Sequence, residues 1–286
     1  MYQYEYKTLH ELMDAATTHN LSLSEVVVRH EMETSEQTEE AVRSRMEGRL
    51  AVFKESIDAG LNDTEKSVSG LVGGDADKLL KAAPKLLGPL AKKAAVYALA
   101  VSEANAKMFK IVACPTAGSC GIVPAVMTAV AEELDVDTET SVNALFTAAG
   151  VGAVVSRNAS VAGAVGGCQA ECGTAAEMAG GTNDQILQAF ALCMKNTLGL
   201  ACDPVAGLVE VPCVKRNACY AILAITAAEM ALAGVRSVIP PDEVIEAMNE
   251  IGRMMPVALK ETSDGGLAKT ATGKAIAERL ERSMAE

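Results

Sequence analysis

The chain has 286 residues, enough to bury a sizeable core in one large or two modest domains, and half of them are apolar. Its 25 basic and 37 acidic residues leave a net charge of −12, and aromatics make up 3 % with no Trp. Such a surface lacks the cations that bind phosphates and the rings that stack bases, which argues against nucleic acid and against an anionic membrane as partners.

The dominance of Ala and the scarcity of aromatics favour closely packed helices over sheet, so the composition predicts an all-α fold. Residues 8–18 place Leu9, Leu12, Met13 and Ala16 at i, i+3, i+4 and i+7, the pattern of an amphipathic helix. With Ser24 as N-cap, a charged helical segment then runs to Ala59 on a stripe of Val28, Met32, Val42, Met46, Leu50, Phe53 and Ile57, ending at Gly60. Residues 1–60 therefore read as a charged helical N-terminal arm, and 60–74, rich in Gly and small polar residues, as a boundary to a second unit over 61–286.

From about Lys78 to Gly234 the composition turns to Ala, Gly, Val and Leu, as in helices buried on most sides. The uncharged run from Ile111 to Ala131 has the length of a bilayer span, but Pro115, Gly118, Gly121 and Pro124 interrupt it, and it reads as buried loop and helix. Thr182 with Gln185 forms a capping box for a helix to about Leu198. Another helix runs from near Val214 to Gly234, and Pro240 and Pro241 open an amphipathic tail. The N-terminus shows no apolar core of signal-peptide length, so a cytoplasmic location is expected, where thiols stay reduced.

All eight cysteines lie in the apolar block: Cys114, Cys120, Cys168, Cys172, Cys193, Cys202, Cys213 and Cys219. None forms a CxxC pair, which removes the usual zinc-ribbon and thioredoxin signatures. Cys168, Cys202 and Cys213 stand beside Gly or Pro in low-charge turns, where backbone N–H groups can approach a metal-bound sulfur. Cys114, Cys193 and Cys219 read as small hydrophobes in packed helices, and Cys120 as a residue that could line a pocket. Thr116, Ala117, Gly118 and Ser119 precede an apolar helix, so their backbone N–H groups either face an anion such as a carboxylate or form an ordinary capped turn. GGLAKTATGK at 265–274 imitates a phosphate loop but has the wrong glycine spacing, and Ala275 in place of the metal-binding Ser or Thr.

The segments CPTAGSCGIVPAV (114–126), AGAVGGCQAECGTAAEMAGG (162–181), NTLGLACDPVAGLVEVPCVKRNA (196–218) and KETSDGGLAKTATGK (260–274), with SVSGLVGGDADKL (67–79), resemble the α subunit of the iron-sulfur-dependent L-serine dehydratases over essentially the whole chain. The resemblance implies a helical domain enclosing a [4Fe-4S] cluster held by Cys168, Cys202 and Cys213. Cys172, four residues after Cys168, is an alternative ligand. The fourth iron would lack a protein thiolate and act as a Lewis acid on the serine hydroxyl, yielding pyruvate and ammonia. Thr116, Gly118, Ser119, Arg216 and Asn217 are the candidate substrate-binding residues, and Arg216 and Asn217 would either hold the carboxylate or support the cluster; Lys215 and Arg216 also fit a solvated helix start.

The three histidines, His10, His19 and His30, all lie in the N-terminal arm, so no histidine base comes from the core. The resemblance supplies one instead from a β subunit, an expected partner whose counterpart is missing here, and the ending ERSMAE predicts no cysteine tail reaching the cluster. No Ser-x-Lys motif of a pyridoxal enzyme is present around Lys110. A related lyase acting on L-cysteine or L-threonine, and a non-catalytic iron-sulfur sensor or scaffold, remain as alternatives.

Overall fold

Residues 2–159 and 178–285 are described by the computed structural model, and among them the chain forms eleven α-helices and no strand, in agreement with the all-α expectation. Helix α1 (Leu9–His19) starts where the Thr8 hydroxyl accepts from Glu11 N, buries Leu9, Leu12 and Ala16, and stops at Asn20 in the left-handed region. Helix α2 (Leu23–Ser35) is capped by Ser22 rather than Ser24, through a complete capping box with Glu25. Ser24 lies inside the helix and is buried.

The charged run expected as one piece is two helices, because Glu36 adopts φ 54° and Thr38 provides a fresh cap for α3 (Glu39–Asn62). Gly60 does not end α3 either. It sits in the last turn because a Cβ there would lie 1.9 Å from the Ala100 carbonyl oxygen, so its role is close approach between helices. Helix α4 (Asp75–Lys81) follows the glycine-rich stretch, and α5 (Pro89–Ala106) opens with Pro89 at its first position.

Helix α5 is the centre of the fold, packed by α3, α4, α6 (Ile122–Leu134) and the later α9 (Cys213–Leu232). Ala94, Ala95, Ala98, Ala100 and Ala104 are buried on several of its faces, and small side chains allow neighbours on all sides. The apolar stretch Ala117–Leu134 is long enough to span a bilayer, yet α6 buries most of its side chains against α3, α5 and α9. Helix α7 (Thr138–Asn158) packs on α2 and α3.

The Thr182–Gln185 capping box is present and opens α8 (Asn183–Met194), which ends four residues short of the expected Leu198 because the chain turns through residues 195–199. Helix α9 stops at Ala233, with Gly234 (φ 87°) just beyond, while α10 (Pro241–Met254) and α11 (Ala271–Ala285) complete the tail. Tyr6, Leu12, Val28 and Phe53 share one hydrophobic core with Leu99, Val126, Phe146 and Phe190.

Candidate functional site

Both described members of the predicted cysteine set lie at the irregular stretch between α8 and α9, Cys202 within it and Cys213 at its end. Cys202 is tied to the C-terminal region by a short parallel bridge: its N–H donates to Leu259 O (2.8 Å), and Glu261 N donates to its carbonyl (2.7 Å). The loop then closes on itself through Val205 N to Val211 O (2.9 Å), and Cys213 is the first residue of α9. Cys202 and Cys213 line one small, largely apolar pocket with Gly118, Ile122, Leu200, Ala201, Arg216, Asn217 and Tyr220.

Burial pushes the Cys202 thiol up to about 11, Glu261 and Cys213 adding to the effect against the pull of Arg216. Burial also raises Cys213, with Arg216 opposing. Both are therefore neutral thiols at pH 7 until a cation displaces the proton, and the α9 N-terminus favours the thiolate that results at Cys213. Two half-buried sulfurs sharing an apolar pocket form a donor set suited to a thiophilic metal. Cys168 and the alternative Cys172 lie outside the described residues, and among the described residues no three metal-binding side chains come together.

Of the other candidate residues, Gly118, Arg216 and Asn217 meet this pocket, whereas Thr116 and Ser119, expected with them, do not line it. A 3-10 turn, Ala117–Ser119, leads into α6; the buried Ser119 hydroxyl donates to Cys114 O (2.9 Å) and lies 3.2 Å from the Thr116 hydroxyl. Asn217, 2 % exposed, donates to Gly118 O (2.7 Å) and Cys213 O (2.9 Å) and accepts from Gly121 N (3.0 Å). This one carboxamide locks the start of α6 onto the start of α9. A Cβ on Gly121 would lie 2.5 Å from Ser102 Oγ, which brings the same junction against α5.

Other cysteines are placed differently. Cys193 is buried in α8 as expected. Cys219 is exposed on α9 rather than packed, because the buried stripe of that helix runs through Val214, Ala218, Ala221 and Ala224. Cys120 packs with Ile57 and Val101 and does not line the pocket, and none of the described cysteines is in a disulfide. His19 and His30 pack at a tilt against Tyr4 and Tyr6, His10 faces Asp14, and none of the three lines the pocket.

Three buried carboxylates around the site were not singled out by motif. Asp203, 4 % exposed, faces Arg216 Nη2 at 2.9 Å and accepts from Leu267 N (2.7 Å). Glu210 accepts from the hydroxyls of Ser67 (2.7 Å) and Ser69 (2.6 Å), and Glu103 accepts from Gly74 N and Asp75 N, so SVSGLVGGD is clamped against α5 and the Cys213 turn. Asp203 and Glu210 are the only charges between Lys195 and Lys215, a signal that was open to reading. The 265–274 loop meets the site here too, because Gly266 (φ 57°) passes so close that a Cβ would lie 2.3 Å from Asp203 Oδ2.

A family model described as "Serine dehydratase alpha chain" matches residues 18–268. The chain is 47 % identical to a protein named "Probable L-serine dehydratase, alpha chain" from Bacillus subtilis, over 96 % of this chain and 95 % of that one. It is 40 % identical to "L-serine dehydratase, alpha chain" from Peptoniphilus asaccharolyticus, over 94 % and 96 %. A longer relative, "L-serine dehydratase" from Helicobacter pylori, is 34 % identical over 93 % of this chain but only 62 % of its own length.

Proposed function

The chain belongs to the serine dehydratase alpha chain family, and from that premise we propose that it is the α subunit of an enzyme that eliminates water from L-serine to give pyruvate and ammonia. The observation that carries this reading is the convergence of Cys202 and Cys213 with Gly118, Arg216 and Asn217 on one pocket at the starts of α6 and α9. Cys202, Cys213 and Cys168 would hold a [4Fe-4S] cluster. When bound, it supplies a Lewis acid for the β-hydroxyl, a poor leaving group by itself.

The chain's own residues do the rest of the positioning. Gly118 brings the turn before α6 to the pocket, where the helix dipole favours the substrate carboxylate, and Thr116 and Ser119 shape that turn from behind. Asn217 keeps that backbone from drifting relative to Cys213, and the apolar walls Ile122 and Leu200 exclude water from the hydroxyl to be lost. The base is assigned to a β subunit, in keeping with the pocket's lack of a histidine from this chain. The Helicobacter relative, which continues well beyond the matched part, supports a second half supplied separately. The same reading puts the enzyme in a reducing, cytoplasmic compartment, where cluster-binding thiols stay reduced.

The test is an anaerobic pyruvate assay with L-serine, on the chain alone and co-expressed with its partner, while the visible cluster spectrum is recorded. Pyruvate with a serine-dependent spectral shift supports substrate at an open iron. Turnover of L-cysteine or L-threonine in preference to serine would reassign the substrate, and a cluster indifferent to all three would make the chain a sensor or scaffold.

A further inference from the structure

Arg216 lies one turn after Cys213 on α9 and reaches across to the residues on both sides of Cys202. Its Nη1 donates to Ala201 O at 2.8 Å, and its Nη2 lies 2.9 Å from Asp203 Oδ1. Asp203 is 4 % exposed, and its other oxygen accepts from Leu267 N, so the carboxylate is itself held from the far side. A planar guanidinium with donors in a fixed fork can bridge a carbonyl and a carboxylate at once, which an ammonium on a flexible stem does not do.

From this geometry we propose that Arg216 and Asp203 are positioning residues that fix the separation of Cys202 and Cys213, and that Arg216 is not the substrate's carboxylate clamp. The proposal rests on the cysteine pair holding the cluster, as inferred above. Arg216 carries the connection from α9 to the Cys202 turn, and Asp203 passes it on to the loop at Gly266, where any side chain would collide with the carboxylate. The start of α9 and the Cys202 turn are thereby tied both to each other and, through Asp203, to a loop 64 residues further on.

The experiment compares R216K, D203N and the double variant with the wild-type chain. In the metal-free protein, alkylation of Cys202 by iodoacetamide, mapped by mass spectrometry, should speed up about tenfold in each variant, the factor expected when the hydrogen bond to Ala201 O or the buried ion pair with Asp203 that holds the turn is lost. Circular dichroism identifies any variant that has merely failed to fold, and C193A, a buried cysteine away from the pocket, controls for general loosening. In the reconstituted holoenzyme, the visible absorption should bleach faster under chelator, while KM for L-serine stays within about twofold of wild type. The double variant should be no worse than the worse single one, since both changes break one connection.

Intact cluster retention with KM raised tenfold or more in R216K would overturn the proposal and make Arg216 a substrate ligand. Unchanged alkylation and unchanged bleaching in both single variants would also overturn it. A wild-type chain that binds no cluster refutes the proposed function instead, and the alkylation rates then still decide whether the pair holds the Cys202 turn.

Discussion

Asn217→Ala removes three hydrogen bonds at a position that is 2 % exposed. One of them, to Cys213 O, lies within α9, whereas those with Gly118 O and Gly121 N join α9 to the start of α6 across 99 and 96 residues. Each tertiary bond contributes about 1 kcal/mol net, and the Gly121 N–H left without its partner adds about another 1 kcal/mol of desolvation penalty. A total near 3 kcal/mol lowers the folding equilibrium constant roughly a hundredfold. Urea denaturation of the metal-free chain should show the midpoint falling with an unchanged slope.

Asn217→Asp separates the donors from the acceptor. It keeps an oxygen for Gly121 N but turns a carboxylate toward two carbonyls, so it should be at least as destabilising as Ala at pH 7. Those carbonyls raise the new carboxyl above the roughly 3.9 of an unfolded Asp, so the penalty applies above that raised value and eases as the pH falls through it. A stability within about 0.5 kcal/mol of wild type for N217A would refute the claim that this side chain joins the two helices.

Gly60→Ala should destabilise by about 1–3 kcal/mol despite the better helix propensity of Ala, because the new Cβ would lie 1.9 Å from Ala100 O; a raised melting temperature would count against the close approach. Glu210→Ala leaves the Ser67 and Ser69 hydroxyls without their acceptor, costing about 2 kcal/mol, and limited proteolysis should cut faster within residues 63–74 while α8 stays protected. Burial alone would raise Asp75, but hydrogen bonds from Lys215 and Lys78 outweigh it and bring the carboxyl down to about 2. A depressed carboxylate stabilises above its unfolded value near 4 and loses that contribution as the pH falls towards 2. Asp75→Asn should therefore remove about 1 kcal/mol at pH 7, after allowing for screening by the exposed lysines, and most of that difference should be gone at pH 2.

Where one face of a helix meets the core and a capping residue marks its start, the chain is readable from its residues alone. Helix α1 shows its apolar stripe, Thr182 and Gln185 announce α8, and Pro240 with Pro241 announces α10. The break between α2 and α3 is harder, because neither Gly nor Pro marks it: Glu36 takes the left-handed conformation itself, and only Thr38 followed by Glu39 and Glu40 gives the new start away. Gly60 misleads for a related reason. A glycine near a helix end reads as a stop signal, whereas here it is required by a carbonyl forty residues later, on α5.

The site divides along the same line. Cysteines beside Gly and Pro in an uncharged stretch are conspicuous in one dimension, and Cys202 and Cys213 do share a pocket. What fixes them is long-range. Asp203 finds Leu267 across 64 residues, Glu210 finds Ser67 across 143, and Asn217 finds Gly118 across 99. No local spacing encodes those pairings, yet a buried charge must find a partner or destabilise the fold, so two acids isolated in an otherwise uncharged loop already imply that such partners exist. The partners of Asp203 and Glu210 lie within KETSDGGLAKTATGK and SVSGLVGGDADKL, so these outlying segments enter the architecture of the site through the acids of the cysteine loop.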